Sequence, residues 1–591
     1  MFGFYGRIIT VDLSERSYHI ESLPDDVLEA GFGGKGLATR LLLERNPAGV
    51  DPLGPRNHLI FATGPFCQQR IWGGSRYGVF AKSPLTGFYA ESYSGGRVPE
   101  AVDAAGFDAV LFTGKAAGAT AVCVHPDGAA FFDAADLWGL DTFQSEAMAL
   151  ERYRPEQAED GRRGAVVIGP AGENRVNFAL IANDKWRCAG RAGVGTIMGA
   201  KNLKAVVFQG NRQREMFDGE GVAAYAKHFS KSNMQQPGVK AYRAMGTTMM
   251  VAIMNTVGAF PAKYWHQGTC DHWEQISGET FHKDHEVRPN ACAKCFMACG
   301  RMTTIRKGRH KGLQLEGPEY ETIYAFGGLC MVADMGEIAY LNDLCDRLGM
   351  DTITAGNLCA LSIEAKLRGI IDEDIEYGAA DKIGALIEKM AHREGIGHIL
   401  ADGIVPAARQ WGLESLAVHV KGMEPAGYDP RVLKGMGLTF ATAPRGACHL
   451  RTTFYKPELA GLIPPEQIDG KARMLTDYED RLNIFDTLIL CRFYRDLYTW
   501  EALEQLIPLV TGRSYSKEAL RNKAAAIATM TRQFNLREGL KPEDDQLPVR
   551  LYDEALPSGH SLTAEELSAM LREYYDQRGW DENGIPHPQN D

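Results

Sequence analysis

Three cysteines fall within eight residues, Cys292-Ala-Lys-Cys295-Phe-Met-Ala-Cys299, and this C-x2-C-x3-C spacing lets one loop turn three sulfurs towards a single point. Two chemistries suit such a set, an iron–sulfur cluster and a structural zinc. Zinc has local support from His282 and His285, which precede the cysteines. A cluster needs a distant fourth cysteine, since none follows at ferredoxin spacing, and Cys491 in Asp486-Thr-Leu-Ile-Leu-Cys491-Arg492 is a candidate. The spacing also reverses the C-x3-C-x2-C order of radical enzymes that cleave S-adenosylmethionine. On spacing alone, both readings stay open.

Other segments carry anion-binding or acid–base potential. Arg187-Cys-Ala-Gly190-Arg191-Ala-Gly193-Val-Gly195 couples glycines, which admit close backbone approach, to two arginines that can grip phosphate. Gly73-Gly74-Ser75-Arg76-Tyr77 and Ser94-Gly95-Gly96-Arg97 are comparable. Gly31-Phe-Gly33-Gly34-Lys35-Gly36 satisfies G-x-G-x-x-G, but polar residues precede it where a Rossmann site needs a buried strand. Carboxylates cluster in Glu316-Gly-Pro-Glu319-Tyr320-Glu321, and His449 lies in Arg445-Gly-Ala-Cys448-His449-Leu-Arg451. A surface loop and a satisfied structural histidine are the plainer readings of these last two.

The elements that must position these residues follow from periodicity. Short Val-, Ile- and Phe-rich runs bounded by turn residues predict strands at Arg7–Leu13, His58–Gly64, Tyr77–Lys82, Ala109–Gly114, Ala165–Gly169 and Ala205–Gly210. Helices are predicted at Asp25–Arg45 and Asp141–Arg152. Beyond Gly219 helical periodicity dominates, at Met335–Leu348, Thr354–Arg368, Ala380–Arg393 and Glu518–Phe534. The Gly-, Pro- and Ala-rich stretch 423–447 reads as a junction between two helical domains. The expected fold class is α+β: a β-rich domain over 1–212, a helical domain over 213–422 and a helical C-terminal domain over 423–591.

The 591 residues carry 64 Lys and Arg against 75 Asp and Glu, a formal charge of −11, which argues against a nucleic-acid or anionic-membrane binder. Twelve cysteines are too sparse for a disulfide scaffold. With no secretory leader and no spanning apolar stretch, the expected location is the reducing cytoplasm.

Taken together and in this order, the segments resemble the tungsten-containing aldehyde:ferredoxin oxidoreductases. The resemblance is carried by Lys82-Ser-Pro-Leu-Thr-Gly-Phe, the run from Ala189-Gly-Arg to Asn202-Leu-Lys-Ala205, Glu316-Gly-Pro-Glu-Tyr-Glu, Leu348-Gly-Met-Asp-Thr-Ile, Ala426-Gly-Tyr-Asp-Pro-Arg and Arg578-Gly-Trp-Asp-Glu-Asn-Gly. It implies one tungsten (or molybdenum) held by two pterin dithiolenes, with no protein side-chain ligand, beside a [4Fe–4S] cluster on Cys292, Cys295, Cys299 and Cys491. It places Arg76, Tyr93, Gly95, Arg187, Cys188, Gly190 and Arg191 at pterin- or phosphate-binding positions. A first pterin motif is Asp346-Arg-Leu-Gly-Met350-Asp351, and a second is Asp486-Thr-Leu-Ile-Leu490-Cys491 with Arg492 after it. Arg445 and Arg451 match cofactor-contacting positions. Glu321 is implied as the base, His449 as a second proton-handling residue and Tyr320 as a group steadying the carbonyl oxygen.

Three departures accompany the resemblance. Ile489 stands where the family usually has glycine. Tyr93 replaces an asparagine that can serve a magnesium ion between the pterin phosphates, an ion still expected here through a backbone carbonyl. Tyr340 and Asp343 replace the E-x-x-H pair that binds a subunit-bridging iron in some members, so no such iron is expected. The implied reaction is oxidation of an aldehyde with water to a carboxylic acid, electrons leaving to ferredoxin or to an iron–sulfur partner subunit within a homo- or hetero-oligomer. The alternatives are the tungsten subunit of a reductive, aryl-coenzyme A reductase-like enzyme, or a non-catalytic electron-transfer subunit.

Overall fold

The structure is a computed structural model that describes residues 1–155 and 161–587. The front of the chain folds into two mixed six-stranded sheets. The first is built from β1 (Arg7–Asp12), β2 (Ser17–Ser22), β3 (Leu59–Ala62), β4 (Tyr77–Lys82), β5 (Tyr89–Ser94) and β6 (Ala109–Thr113), ordered β2-β1-β6-β3-β4-β5. The second comprises β7 (Thr120–His125), β8 (Gly128–Asp133), β9 (Arg162–Val167), β10 (Ile181–Asn183), β11 (Arg187–Ala189) and β12 (Leu203–Gly210), ordered β11-β10-β9-β12-β7-β8. Their facing apolar sides share one core containing Phe61, Val79, Val110, Val166, Val206 and Phe208. All six predicted strands are present. The predictions missed β2, β5, β7, β8, β10 and β11, of which β10 and β11 are only three residues long and β2 is largely polar and exposed.

The remainder is helical apart from a three-stranded antiparallel sheet, β13 (Glu286–Asn290), β14 (Gly300–Thr304) and β15 (Gln314–Glu316). The cysteine loop connects β13 to β14. Helices form at Met335–Leu348, Thr352–Leu367, Ala380–His392 and Lys517–Arg537, within a few residues of prediction.

Two expectations change. The helix predicted over Asp25–Arg45 is two helices, Asp25–Gly31 and Gly34–Arg45, broken where Phe32 takes φ 52°. The 423–447 stretch, expected as a junction between helical domains, lies inside the molecule. Almost all of it is buried, it contains the helix Lys434–Thr442, and one apolar core runs through it from residue 171 to residue 580. Its glycines serve close packing: a Cβ at Gly427 would stand 2.6 Å from the Tyr324 ring, and one at Gly435 2.2 Å from Phe454.

The G-x-G-x-x-G segment also finds its purpose in packing. A Cβ at Gly34 would meet the Asp486 carbonyl at 2.2 Å, and one at Gly64 the Leu488 backbone at 2.8 Å. These glycines let the front domain seat itself against the end of the helix Lys471–Leu488, and so position the second Asp-x-x-x-Leu-Cys motif.

Candidate active site

The four cysteines singled out by spacing line one cavity, together with Arg76, Arg187 and Gly73. Left-handed Lys294 (φ 49°) and Ala298 (φ 47°) curl the loop that carries the first three. Cys491 arrives from the turn that ends the helix Lys471–Leu488, and its N–H donates to the Gly73 carbonyl at 2.9 Å. At that turn Ile489 adopts φ 67°, ψ 47° and the Leu490 N–H bonds back to the Phe485 carbonyl. That conformation suits glycine and strains a β-branched residue.

Burial, with the neighbouring cysteines adding to it, pushes the Cys295 thiol up. For Cys299 the added causes are Glu319 and then Cys491. Tyr494 donates to the Cys295 sulfur at 3.5 Å, and Arg76 Nη1 stands 3.8 Å from that of Cys491. Among the described residues no three His, Cys, Asp or Glu side chains close on a single-ion site. The four sulfurs line one space, the donor set that a polynuclear core would need. His285 is occupied elsewhere, its Nδ1 accepting from the Arg306 N–H.

A cavity of about 350 Å³ opens beside this corner. One wall is a bed of buried arginines arranged around Glu91, a residue the sequence reading did not single out. Arg451 pairs with Glu91 at 2.5 Å and with Asp486 at 3.1 Å. Arg492 pairs with Asp486, and Lys35 reaches Glu91 at 3.2 Å and Asn483 at 2.9 Å. Burial alone would raise the Glu91 carboxyl, but Arg451, Lys35, Arg492 and Arg445 together hold it well below the usual carboxylate range. Cys448, named in the sequence only as part of the His449 segment, accepts from Arg445 at 2.9 Å. The Arg445, Arg451 and Arg191 charges outweigh its burial and bring its thiol down to about 7.

The bed retains unused donors. Arg445 Nε, Arg451 Nε and Nη2, and Arg492 Nη1 are buried and find no hydrogen-bond partner among the described residues. Buried guanidinium N–H groups left without a partner are costly unless an anion completes them.

The remaining front-domain residues divide between the two cavities. Arg76 donates from Nη2 to the Tyr93 carbonyl at 3.3 Å, so it spans the distance from that strand to Cys491. The Tyr93 ring lies under the Arg451 and Arg492 guanidiniums, at 5.4 and 5.7 Å. Cys188 and Gly190 line the large cavity, and burial pushes the Cys188 thiol up to about 12. Arg191 is committed to protein, to Asp351 at 2.7 Å and to the Ala447 and Glu424 carbonyls. Arg187 and Gly95 turn towards the cysteines instead. Arg187 pairs with Glu316, and a Cβ at Gly95 would meet Cys292 Sγ at 2.9 Å.

The first Asp-x-x-Gly motif closes the helix Met335–Leu348, with Gly349 left-handed, and Asp351 caps the next helix by accepting from the Ile353 N–H. Asp346, Met350 and Asp351 line an adjoining cavity with Cys188. Leu490 is buried in the core and supports the turn. Tyr340 stacks on His310 at 4.4 Å and Asp343 pairs with Arg347.

Over the arginine bed stand Glu321 and His449. Glu321 lies on a helical turn (Tyr320–Thr322) that runs into a π-helical segment, Ile323–Leu329. Its Oε2 accepts from the Gly427 N–H at 2.9 Å, and its Oε1 has no hydrogen-bond partner. Burial pushes this carboxyl up to about 7, the Gly427 N–H offsetting part of the effect. His449 Nε2 is 3.5 Å from Oε1, and its Nδ1 is unpartnered. Burial, reinforced by Arg191, Arg445, Arg492 and Arg451, keeps this imidazole neutral. A buried carboxylate whose pKa lies near neutrality, beside a neutral imidazole, can take up and pass on a proton. Tyr320 does not have the expected freedom to steady a substrate oxygen. Its hydroxyl donates to the Gly427 carbonyl, which leaves the ring as wall.

Residues 8–210 match the family model for the aldehyde ferredoxin oxidoreductase N-terminal domain, and residues 224–590 the model for domains 2 and 3. The chain is 34% identical to the tungsten-containing aldehyde ferredoxin oxidoreductase of Pyrococcus furiosus, over 99% of this chain and 97% of that one. It is 27% identical to the aliphatic sulfonate oxidoreductase WOR-like subunit of the same organism, over 99% and 96%. Its fold superposes on the active site complex BamBC of benzoyl coenzyme A reductase with a TM-score of 0.83 at 22% identity, covering 99% of this chain and 96% of that one. With both domain models matched and the full length aligned, the chain belongs to the aldehyde ferredoxin oxidoreductase family of tungsten-containing oxidoreductases.

Proposed function

We propose that this oxidoreductase converts an aldehyde and water to a carboxylic acid, releasing two protons and two electrons, and delivers the electrons to ferredoxin or an iron–sulfur partner subunit. One observation carries the reading: the Glu321–His449 pair, with an unpartnered oxygen on one and an unpartnered nitrogen on the other, stands over a bed of arginines with unused donors.

The donor set fits a tungstopterin. The free N–H groups of Arg445, Arg451 and Arg492 suit pterin and phosphate oxygens, with Asp346 and Asp351 of one motif and Asp486 of the other on either side. Cys292, Cys295, Cys299 and Cys491 would hold a [4Fe–4S] cluster. A magnesium ion between the phosphates would have the Tyr93 carbonyl at hand, in competition with Arg76. The bound cofactors supply two-electron redox chemistry at the metal and one-electron relay at the cluster.

The protein's own part is proton handling and orientation. Ionised Glu321 takes the proton from the attacking water through Oε1, while Gly427 fixes the other oxygen. Neutral His449 accepts or relays that proton through Nε2, away from the arginines that forbid it a lasting charge. Arg76 links the two cofactor corners by joining the Tyr93 carbonyl to the Cys491 sulfur. Anaerobic purification followed by metal analysis and assay with benzaldehyde and a viologen tests the proposal. Tungsten, about four irons and dye reduction are expected; failure with every aldehyde alongside reduction of an aromatic thioester overturns it.

A further inference from the structure

One arginine in the large cavity is unlike the rest. Arg191 pairs with Asp351, Arg451 with Glu91 and Asp486, and Arg492 with Asp486, while Arg445 is held by Cys448. All four are thereby tied to the cofactor side. Arg495 also lines the cavity and is only 2% exposed, but among the described residues it forms no ion pair. Its Nη1 donates to the Arg492 carbonyl, while Nε and Nη2 have no hydrogen-bond partner. The carboxylate next to it in sequence, Asp496, is paired with Lys456. Burial disfavours its charge, and the neighbouring Tyr455, Tyr242 and Asp496 offset that burial without any of them pairing with it as an ion.

Its place relative to the acid–base pair follows from the aromatic wall. The Tyr428 ring lies 5.4 Å from His449 and stacks on Tyr455 at 4.2 Å and 11°. The Tyr428–Tyr455 stack thus leads from His449 towards Arg495, whose charge Tyr455 adjoins. Apolar Met250 and Phe493 line the same chamber. A largely apolar cavity lined by an acid–base pair and by a buried cation that lacks an ion-pair partner has the chemistry of a two-point binding site.

We propose that Arg495 is a specificity-determining residue, and that the substrate is a planar aldehyde carrying a second, anionic group, a carboxylate in the simplest case. The guanidinium takes the anion through Nε and Nη2, the aromatic wall takes the body, and the aldehyde carbon is presented to Glu321 and His449. An Arg–carboxylate pair of this kind is bidentate and selective, and without the anion the buried cation stays unpaired. The inference rests on the aldehyde-oxidation reading and adds the substrate class to it.

The experiment compares 4-formylbenzoate with benzaldehyde in the holoenzyme of the wild type, Arg495→Met and Arg495→Lys. The wild type should favour the charged aldehyde by at least about tenfold in kcat/KM. That ratio should collapse towards one in the Met variant and recover partly in the Lys variant. Calorimetry of the dicarboxylate product, terephthalate, should show binding that exceeds that of benzoate and depends on Arg495. A wild-type ratio near one, or an equal loss for both aldehydes in the Met variant, overturns the proposal. Loss of tungsten from the Met variant also overturns it, because Arg495 would then be serving the cofactor. If the wild type oxidises neither aldehyde, the aldehyde reading itself has failed, and Arg495-dependent terephthalate binding would leave the anion subsite standing alone.

Discussion

Glu321 Oε1 and His449 Nε2 lie 3.5 Å apart in a buried cavity, the carboxyl pushed up to about 7 and the imidazole held neutral. Both shifts begin with burial, but they differ in consequence. Burial disfavours charge on each group, so the acid keeps its proton to higher pH and the base loses its proton at lower pH.

The pH profile should follow from this. Only ionised Glu321 can accept a proton from water, so kcat/KM should rise as pH increases through about 7 and level off above it. His449, already neutral there, should add no second limb between pH 6 and 9. Glu321→Gln should lower kcat by about 10² to 10⁴-fold and abolish the rise, with tungsten and iron contents unchanged. A variant that retained both rate and pH limb would remove Glu321 from proton transfer.

Arg76 stands 3.8 Å from the Cys491 sulfur, and a nearby cation favours the more negative, reduced cluster. Arg76→Met should move the cluster's midpoint potential downward by on the order of tens of millivolts, the electrical equivalent of about one charge-assisted contact. Redox titration followed by electron paramagnetic resonance would read it. An unchanged or raised potential would show that Arg76 does not act on the cluster electrostatically.

At Ile489 two effects oppose each other. The left-handed backbone costs a β-branched residue about 1–2 kcal/mol, which glycine would recover. The side chain is only 1% exposed, however, and deleting a buried Ile typically costs about 2–5 kcal/mol. Ile489→Gly should therefore lower the apparent melting temperature at fixed scan rate, although glycine relieves the backbone strain. A higher melting temperature would mean that strain outweighs packing.

Gly34 has no such balance. A Cβ there would lie 2.2 Å from the Asp486 carbonyl, at a φ of 42°. Gly34→Ala should force the front domain away from the second pterin motif and lower bound tungsten and pterin in purified protein. Full cofactor content in the variant would show that this contact can relax without disturbing the motif.

The zinc and cluster readings of Cys292, Cys295 and Cys299 differ by the fourth ligand, and that ligand is 192 positions away from the last of them. Spacing could describe the loop but not its partner. The fold brings Cys491 in because the Gly73 carbonyl takes its N–H and Tyr494, three residues later, reaches Cys295. Similarly, Arg187, Arg191 and Arg492 looked equivalent as arginines beside glycines or motif residues. The structure commits Arg191 wholly to protein, turns Arg187 to the cysteines and leaves a free nitrogen on Arg492.

The amino-acid order by itself determined what local geometry can express: a three-sulfur loop, helices whose apolar faces repeat every 3.6 residues, strands of continuous Val, Ile and Phe, and motifs that mark the family. Tertiary structure decided what depends on distances across the chain. It made Glu91 the shared counter-ion of Arg451 and Lys35, buried the glycine-rich 423–447 stretch, gave Gly34 its place as a packing contact, and left Arg495 without an ion pair among the described residues. The reason is physical. Periodicity is a property of neighbours along the chain, whereas charge compensation and burial are set by whichever residues packing brings within a few ångströms.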